Sequence, residues 1–107
     1  MILESEQASS IVARLKAELN PLKIYLFGSQ ASGRASQQTS DVDLCIIVSD
    51  DSEPAFKKAV RAYKSLRGLR IPKDILVRYQ SQFEERARWV NSLEREVSET
   101  GTLIYAR

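Results

Sequence analysis

Lys23-Ile24-Tyr25-Leu26-Phe27-Gly28-Ser29 and, further on, Ser40-Asp41-Val42-Asp43-Leu44-Cys45-Ile46-Ile47-Val48 are the stretches on which the reading of this chain turns. The first holds a short β-prone run bounded by Pro21 and Gly28, which predicts a strand over 23–27. The second is almost wholly apolar after Asp43, the pattern of a buried strand, and predicts one over 42–48. Between them, glycine, serine, glutamine and alanine dominate, which reads as a polar loop with room for one short helical turn.

Asp41 and Asp43 stand two apart at the mouth of the second strand, so alternation sends both carboxylates to one face. Such a pair repels itself unless a proton or a cation intervenes, and a divalent ion resolves the conflict. Gly28 closes the first strand, where a residue without a side chain lets an anion such as phosphate approach the backbone, and Ser29 follows it. If a helical turn begins there, its free amides add to the attraction. Each feature alone has a plainer reading: Gly-Ser after a strand is usually a turn, and paired aspartates before a strand are often a cap. Their order, with a phosphate cradle and a metal pair on consecutive strands, is what points to chemistry.

Working outward, Ala8, Ile11, Val12, Leu15 and Leu19 recur at helical spacing and predict a helix over 5–19, with Ser5 as its cap and Asn20-Pro21 as its stop. After the second strand, Asp50, Asp51 and Ser52 supply turn and cap chemistry, and Pro54 suits a first turn. A helix is predicted over 53–69, with Ala55, Phe56, Ala59, Val60, Tyr63 and Leu66 on its inner face. Lys57, Lys58, Arg61, Lys64, Arg67 and Arg70 gather on and beyond this helix; they read as its solvated side, or else as a docking surface for RNA or an acidic partner. Lys73-Asp74-Ile75-Leu76-Val77 reads as a third strand, and Asp74 near its start is either a third functional carboxylate or a strand-end charge. The tail over 81–100 is helical in composition, with Phe83, Ala87 and Val90 on one face and Leu93 and Val97 on another, and a break is placed near Asn91-Ser92. Gly101 ends it, and Thr102-Leu103-Ile104-Tyr105 reads as a closing strand.

With 107 residues and 43% hydrophobic composition, the chain suits one compact core, and residues 1–107 are read as a single domain. The formal net charge of +2 lacks the strong positive field of a dedicated nucleic-acid binder, so direct nucleic-acid contact is not expected. With no histidine, Ser-His-Asp and Cys-His catalysis and the usual zinc sites are excluded, and metal chemistry must rest on carboxylates, which favour magnesium. Cys45 is the single cysteine, lies in an apolar run and reads as a core residue. The opening residues lack a basic stretch followed by an apolar one, and no segment is long and apolar enough for a bilayer, so a cytoplasmic protein without membrane contact is expected. Trp89 is read as partly buried on its own helix, with an interface anchor as the alternative.

The segment Phe27-Gly28-Ser29-Gln30-Ala31-Ser32-Gly33, followed by Ser40-Asp41-Val42-Asp43-Leu44, resembles the signature of the MNT nucleotidyltransferases within the DNA polymerase beta superfamily. The resemblance extends in order to Val77, and Gly101-Thr102-Leu103-Ile104-Tyr105 is similar to that family's last strand. It implies an α+β (α/β) fold of palm type, a small mixed β-sheet flanked by helices, and Mg2+-dependent transfer of a nucleoside monophosphate from ATP or another nucleoside triphosphate, with release of pyrophosphate. By position it implies that Gly28 and Ser29 hold the triphosphate, that Asp41, Asp43 and Asp74 hold a two-ion metal site, and that Asp74, the third carboxylate, also activates the acceptor. Many members carry arginine where this chain has Gln30 and Ser32, and Arg34 compensates from a shifted position in nucleotide binding. Members of this size commonly act as antitoxins paired with a HEPN-domain toxin, some by attaching AMP to a tyrosine of that toxin. The expectation is therefore a protein adenylyltransferase and antitoxin in a homo- or hetero-oligomer. The alternatives are a non-catalytic module that neutralises its partner by occlusion, and a transferase acting on a small molecule or an RNA end.

Overall fold

Ile11 and Leu15, one helical turn apart, are fully buried against the same sheet face that Ile24, Val42, Leu44 and Ile46 line, and this contact organises the fold. The computed structural model describes residues 3–28 and 41–107, so the turn expected after Gly28, and with it Ser29, Gln30, Ser32 and Arg34, lies outside the described residues. In chain order the elements are α1 (Ser5–Leu19), β1 (Lys23–Phe27), β2 (Val42–Val48), α2 (Ala55–Ser65), β3 (Lys73–Tyr79), α3 (Gln80–Arg86), α4 (Leu93–Thr100) and β4 (Thr102–Ala106).

The described strands form one four-stranded sheet in the order β3-β2-β1-β4. β1 runs antiparallel to both β2 and β4, whereas β2 and β3 are parallel, which makes the sheet mixed. The parallel pair follows from connectivity, since α2 lies between the two strands and carries the chain back to the starting edge. One face of the sheet packs with α1 and α2 into the larger core, which contains Ile11, Leu15, Ala62, Leu66, Ile75 and Val77. The opposite face is covered by α3 and α4 through Cys45, Ile47, Phe83 and Val97. β2 is thus buried on both sides, which explains why its sequence runs apolar from Leu44 to Val48.

Several local expectations change. Glu4, not Ser5, is the cap of α1, and its carboxylate and the Gln7 side chain satisfy each other's backbone amides in a capping box. Asp50 does not cap the helix that follows it; its Oδ1 accepts the Ser81 amide at 3.1 Å, at the start of α3. α2 is rotated relative to the expected inner face. Ala62 and Leu66 are buried with Ala55 and Ala59 beside them, whereas Phe56, Val60 and Tyr63 are 66%, 46% and 40% exposed. Small alanines let the helix settle closely on the sheet, so the larger side chains are left on the flank. The tail breaks earlier than expected: α3 ends at Arg86, and Trp89, Val90 and Asn91 form the connection to α4. Trp89 is exposed there with the Arg86 guanidinium 5.7 Å from its ring centroid, and Val90 faces solvent rather than a helix face.

Glu94 is a buried charge, 6% exposed, at the first turn of α4. Arg78 Nε donates to its Oε2 at 3.0 Å, and Arg86 stands at 3.9 Å, so β3, α3 and α4 meet on one carboxylate. No described helix is long and apolar enough to cross a membrane.

Candidate active site

Three strand ends, those of β1, β2 and β3, meet where the expected carboxylates lie. β1 closes at Phe27, whose partner across the antiparallel pair is Asp43, and Asp43 is also the parallel partner of Asp74 on β3. Because the sheet alternates, Val42, Leu44 and Ile75 go to the larger core, while Asp43 goes to the opposite face with Cys45 and Ile47. Asp41 precedes β2 by one residue and is exposed; Asp43 is half-buried; Asp74 is exposed at the entrance of the edge strand β3.

Gly28 follows β1 with φ +72°, the left-handed region that favours glycine, and a Cβ at this position would overlap Asp43 Oδ2. The missing side chain therefore does two things at once. It lets the chain turn out of the strand, and it leaves room for the Asp43 carboxylate against the backbone.

Burial pushes the Asp43 carboxyl above its ordinary range, and the negative charges of Asp74 and Asp41 push it further in the same direction. Among the described residues, no lysine or arginine forms an ion pair with any of the three aspartates. Nor do any three acidic side chains among the described residues close into a ready-made metal cage. Among the described residues the site is an open group of oxygen donors with no paired cation. That donor set fits magnesium, which is usually held by one or two carboxylates together with waters and substrate phosphates rather than by an all-protein cage.

Tyr63 is the residue that sequence reasoning missed. Assigned by periodicity to the interior, it instead reaches from α2 to the start of β3, where its hydroxyl accepts the Ile75 amide at 2.9 Å and donates to Asp74 Oδ1 at 3.3 Å. Nothing in the local pattern signals this, because the contact depends on how α2 rotates.

Gly28, Asp41, Asp43 and Asp74 are thus brought to one end of the sheet, and Ser29 and Arg34 lie outside the described residues. A cavity of about 410 Å³ floored by Tyr25, Ile47 and Phe83 sits at the other end of β1 and β2, where Lys23 pairs with Ile47. It shares no residue with the aspartate cluster. Cys45, between the two, is buried and its thiol is pushed up to about 12, chiefly by burial, which leaves it without nucleophilic character.

Residues 8–100 match the family model of the nucleotidyltransferase domain. The chain belongs to the nucleotidyltransferase domain family. Solved structures bear out the fold. A Sulfolobus solfataricus protein provisionally assigned as a nucleotidyltransferase superposes with a TM-score of 0.66 at 19% identity, over 94% of this chain and 79% of that one. A toxin-antitoxin structure with AMP-PNP superposes with a TM-score of 0.65 at 19% identity, over 94% of this chain and 73% of that one. No curated protein matches the chain. Within a nucleotidyltransferase domain, the end of the sheet that gathers Gly28, Asp41, Asp43 and Asp74 is the candidate active site.

Proposed function

We propose that the chain is a Mg2+-dependent nucleotidyltransferase that moves AMP from ATP to a hydroxyl of a partner protein, as the antitoxin of a HEPN/MNT toxin-antitoxin pair. The observation that carries this reading is the register of Asp43 opposite Asp74, with Gly28 packed against Asp43 and no cation paired to either carboxylate among the described residues. The family supports nucleotidyl transfer, and the likeness to a toxin-antitoxin structure with AMP-PNP supports a nucleotide and a protein partner.

In this reading Gly28 and Ser29 admit the triphosphate to the backbone, and Arg34 adds charge to the phosphate contact. Asp41, Asp43 and Asp74 would hold the metal, which would supply neutralisation of the triphosphate and polarisation of the reacting phosphoryl group. Asp74 accepts the proton of the acceptor hydroxyl as its oxygen bonds to the α-phosphorus. The bond from that phosphorus to the bridging oxygen breaks, pyrophosphate leaves with the electron pair, and no covalent enzyme intermediate is formed. Tyr63 orients Asp74, since its lone pair is occupied by the Ile75 amide and its single proton is directed at the carboxylate.

The test is incubation with magnesium and α-labelled ATP, with and without the co-purifying partner, comparing wild type with Asp41→Asn/Asp43→Asn. Carboxylate-dependent label on the partner is expected. The exposed stripe of Phe56, Val60 and Tyr63 favours a second reading, a module that neutralises its partner by occlusion. Tight partner binding by both forms, without label on either, decides for it.

A further inference from the structure

α2 and the open edge of β3 leave a groove between them. At one end is a shallow cleft of about 530 Å³ lined by Val60, Tyr63, Lys64, Arg67, Arg70 and Lys73. At the other is a smaller depression of about 220 Å³ that includes Phe56, Ile75 and Arg78. Tyr63 and Ile75 meet between them, and Asp74 is there. The apolar side chains Phe56, Val60 and Tyr63 recur at helical spacing along the groove and are exposed.

The cations of this region fall into two groups. Lys58 is paired with Asp51 at 2.8 Å and Arg61 with Glu53 at 3.0 Å, so both are neutralised within the chain. Lys64, Arg67 and Arg70 are exposed and have no carboxylate partner among the described residues. An apolar stripe beside unpaired cations is complementary to a protein segment with apolar and acidic side chains. RNA fits less well, because Phe56 and Val60 present apolar surface that a ribose-phosphate chain does not cover. The β3 edge does not invite an added strand: the Tyr63 hydroxyl occupies the Ile75 amide and Arg78 occupies the Val77 carbonyl at 3.0 Å.

We infer that this groove is the docking site of the acceptor protein, which lies in it through an acidic, apolar-sided segment and presents its hydroxyl at Asp74. The inference rests on the transferase reading for the role of Asp74, but the docking itself is measurable without chemistry. Fluorescein-labelled poly(Glu,Tyr) and poly(Lys,Tyr) serve as probes, read by anisotropy at low and high salt. Wild type is expected to bind poly(Glu,Tyr) in preference, and Lys64→Glu/Arg67→Glu to weaken it about tenfold or more, with the effect shrinking as salt screens the charges. Phe56→Ala weakens binding at both salts. Lys23→Glu/Arg88→Glu, the same charge change on the other side of the sheet, leaves binding as in wild type. Equal binding of both polymers, or unchanged binding by Lys64→Glu/Arg67→Glu at an unchanged melting temperature, overturns the inference. So does tighter binding of a single-stranded oligouridylate that is lost in that variant, which assigns the groove to RNA. Groove-dependent binding of poly(Glu,Tyr) with no label transferred from ATP to any acceptor upholds the docking site and sinks the transferase reading. Transfer to the partner at the wild-type rate by Lys64→Glu/Arg67→Glu does the reverse.

Discussion

Gly28 shows how much one residue decides at the smallest scale. Its positive φ and the carboxylate packed where a Cβ would stand make it unreplaceable by any L-residue without moving Asp43. Gly28→Ala is expected to reduce nucleotidyl transfer by roughly a hundredfold or more, as misplacement by about 1 Å commonly does, while the chain still folds; transfer at the wild-type rate contradicts the assignment. Cys45 is the opposite case, a potentially reactive group silenced by its surroundings. In native protein it is expected to resist iodoacetamide and to alkylate fully in denaturant, which mass spectrometry reads directly. Rapid alkylation of the native chain would show that the strand pairing around it opens.

At the scale of elements, two ionic clusters fasten helices to the sheet, and they differ in burial. Glu94 is buried and held by Arg78 with Arg86 nearby, so Arg78→Ala leaves a buried carboxylate without its hydrogen-bonded counter-charge and is expected to cost roughly 3 kcal/mol, the scale for breaking a buried pair. Urea unfolding measures this, and a loss below about 1 kcal/mol, the range of surface pairs, contradicts it. Asp51 lies in the exposed cluster before α2. The Lys58 ammonium, then the Glu53 amide and the Tyr79 hydroxyl, bring its carboxyl down to about 2. A depressed folded value means that the contribution is complete above the ordinary carboxylate range and is lost as pH falls through about 2. Wild type is therefore expected to melt above Asp51→Asn at pH 6, with the gap closing between about pH 4 and about pH 2; a gap that widens on acidification contradicts the pairing.

Element boundaries were legible where local chemistry is decisive. Asn20-Pro21 stops α1, Gly28 ends β1, and the apolar run after Asp43 marks a strand covered on both sides. What local pattern did not carry is the rotation of α2. Both Ala59/Ala62/Leu66 and Phe56/Val60/Tyr63 lie at helical spacing, and the choice between them is made by how closely the helix approaches the sheet. The same ambiguity hid Tyr63 from the site. Asp50 was misassigned because its partner, Ser81, is distant in sequence and only the folded sheet brings it near.

For the whole molecule, the notable imbalance is between stability and function at one end of the sheet. Asp43 is half-buried and the strand pairing fixes it opposite Asp74, so burial first, and then the charges of Asp74 and Asp41, oppose its ionised form. Since Asp43 is pushed up, the folded chain holds its proton more tightly than the unfolded chain does. Stability is therefore lost as pH rises through the interval between its ordinary and its raised value, and ionised Asp43 burdens the fold at neutral pH. Such a site is expected to be stabilised by whatever cation and nucleotide it binds. The far-end cavity lies outside this imbalance, since none of the aspartates lines it, whereas the docking groove reaches the cluster at Asp74.

The most direct test of the carboxylate site is a melting experiment at pH 7 on wild type and Asp43→Asn, first in EDTA and then with magnesium and ATP. Asp43→Asn is predicted to melt above wild type in EDTA, where the repulsion is removed, and below it with magnesium and ATP, because only wild type gains from binding. A wild type that does not respond to magnesium and ATP, with Asp43→Asn melting lower in EDTA, would contradict the account.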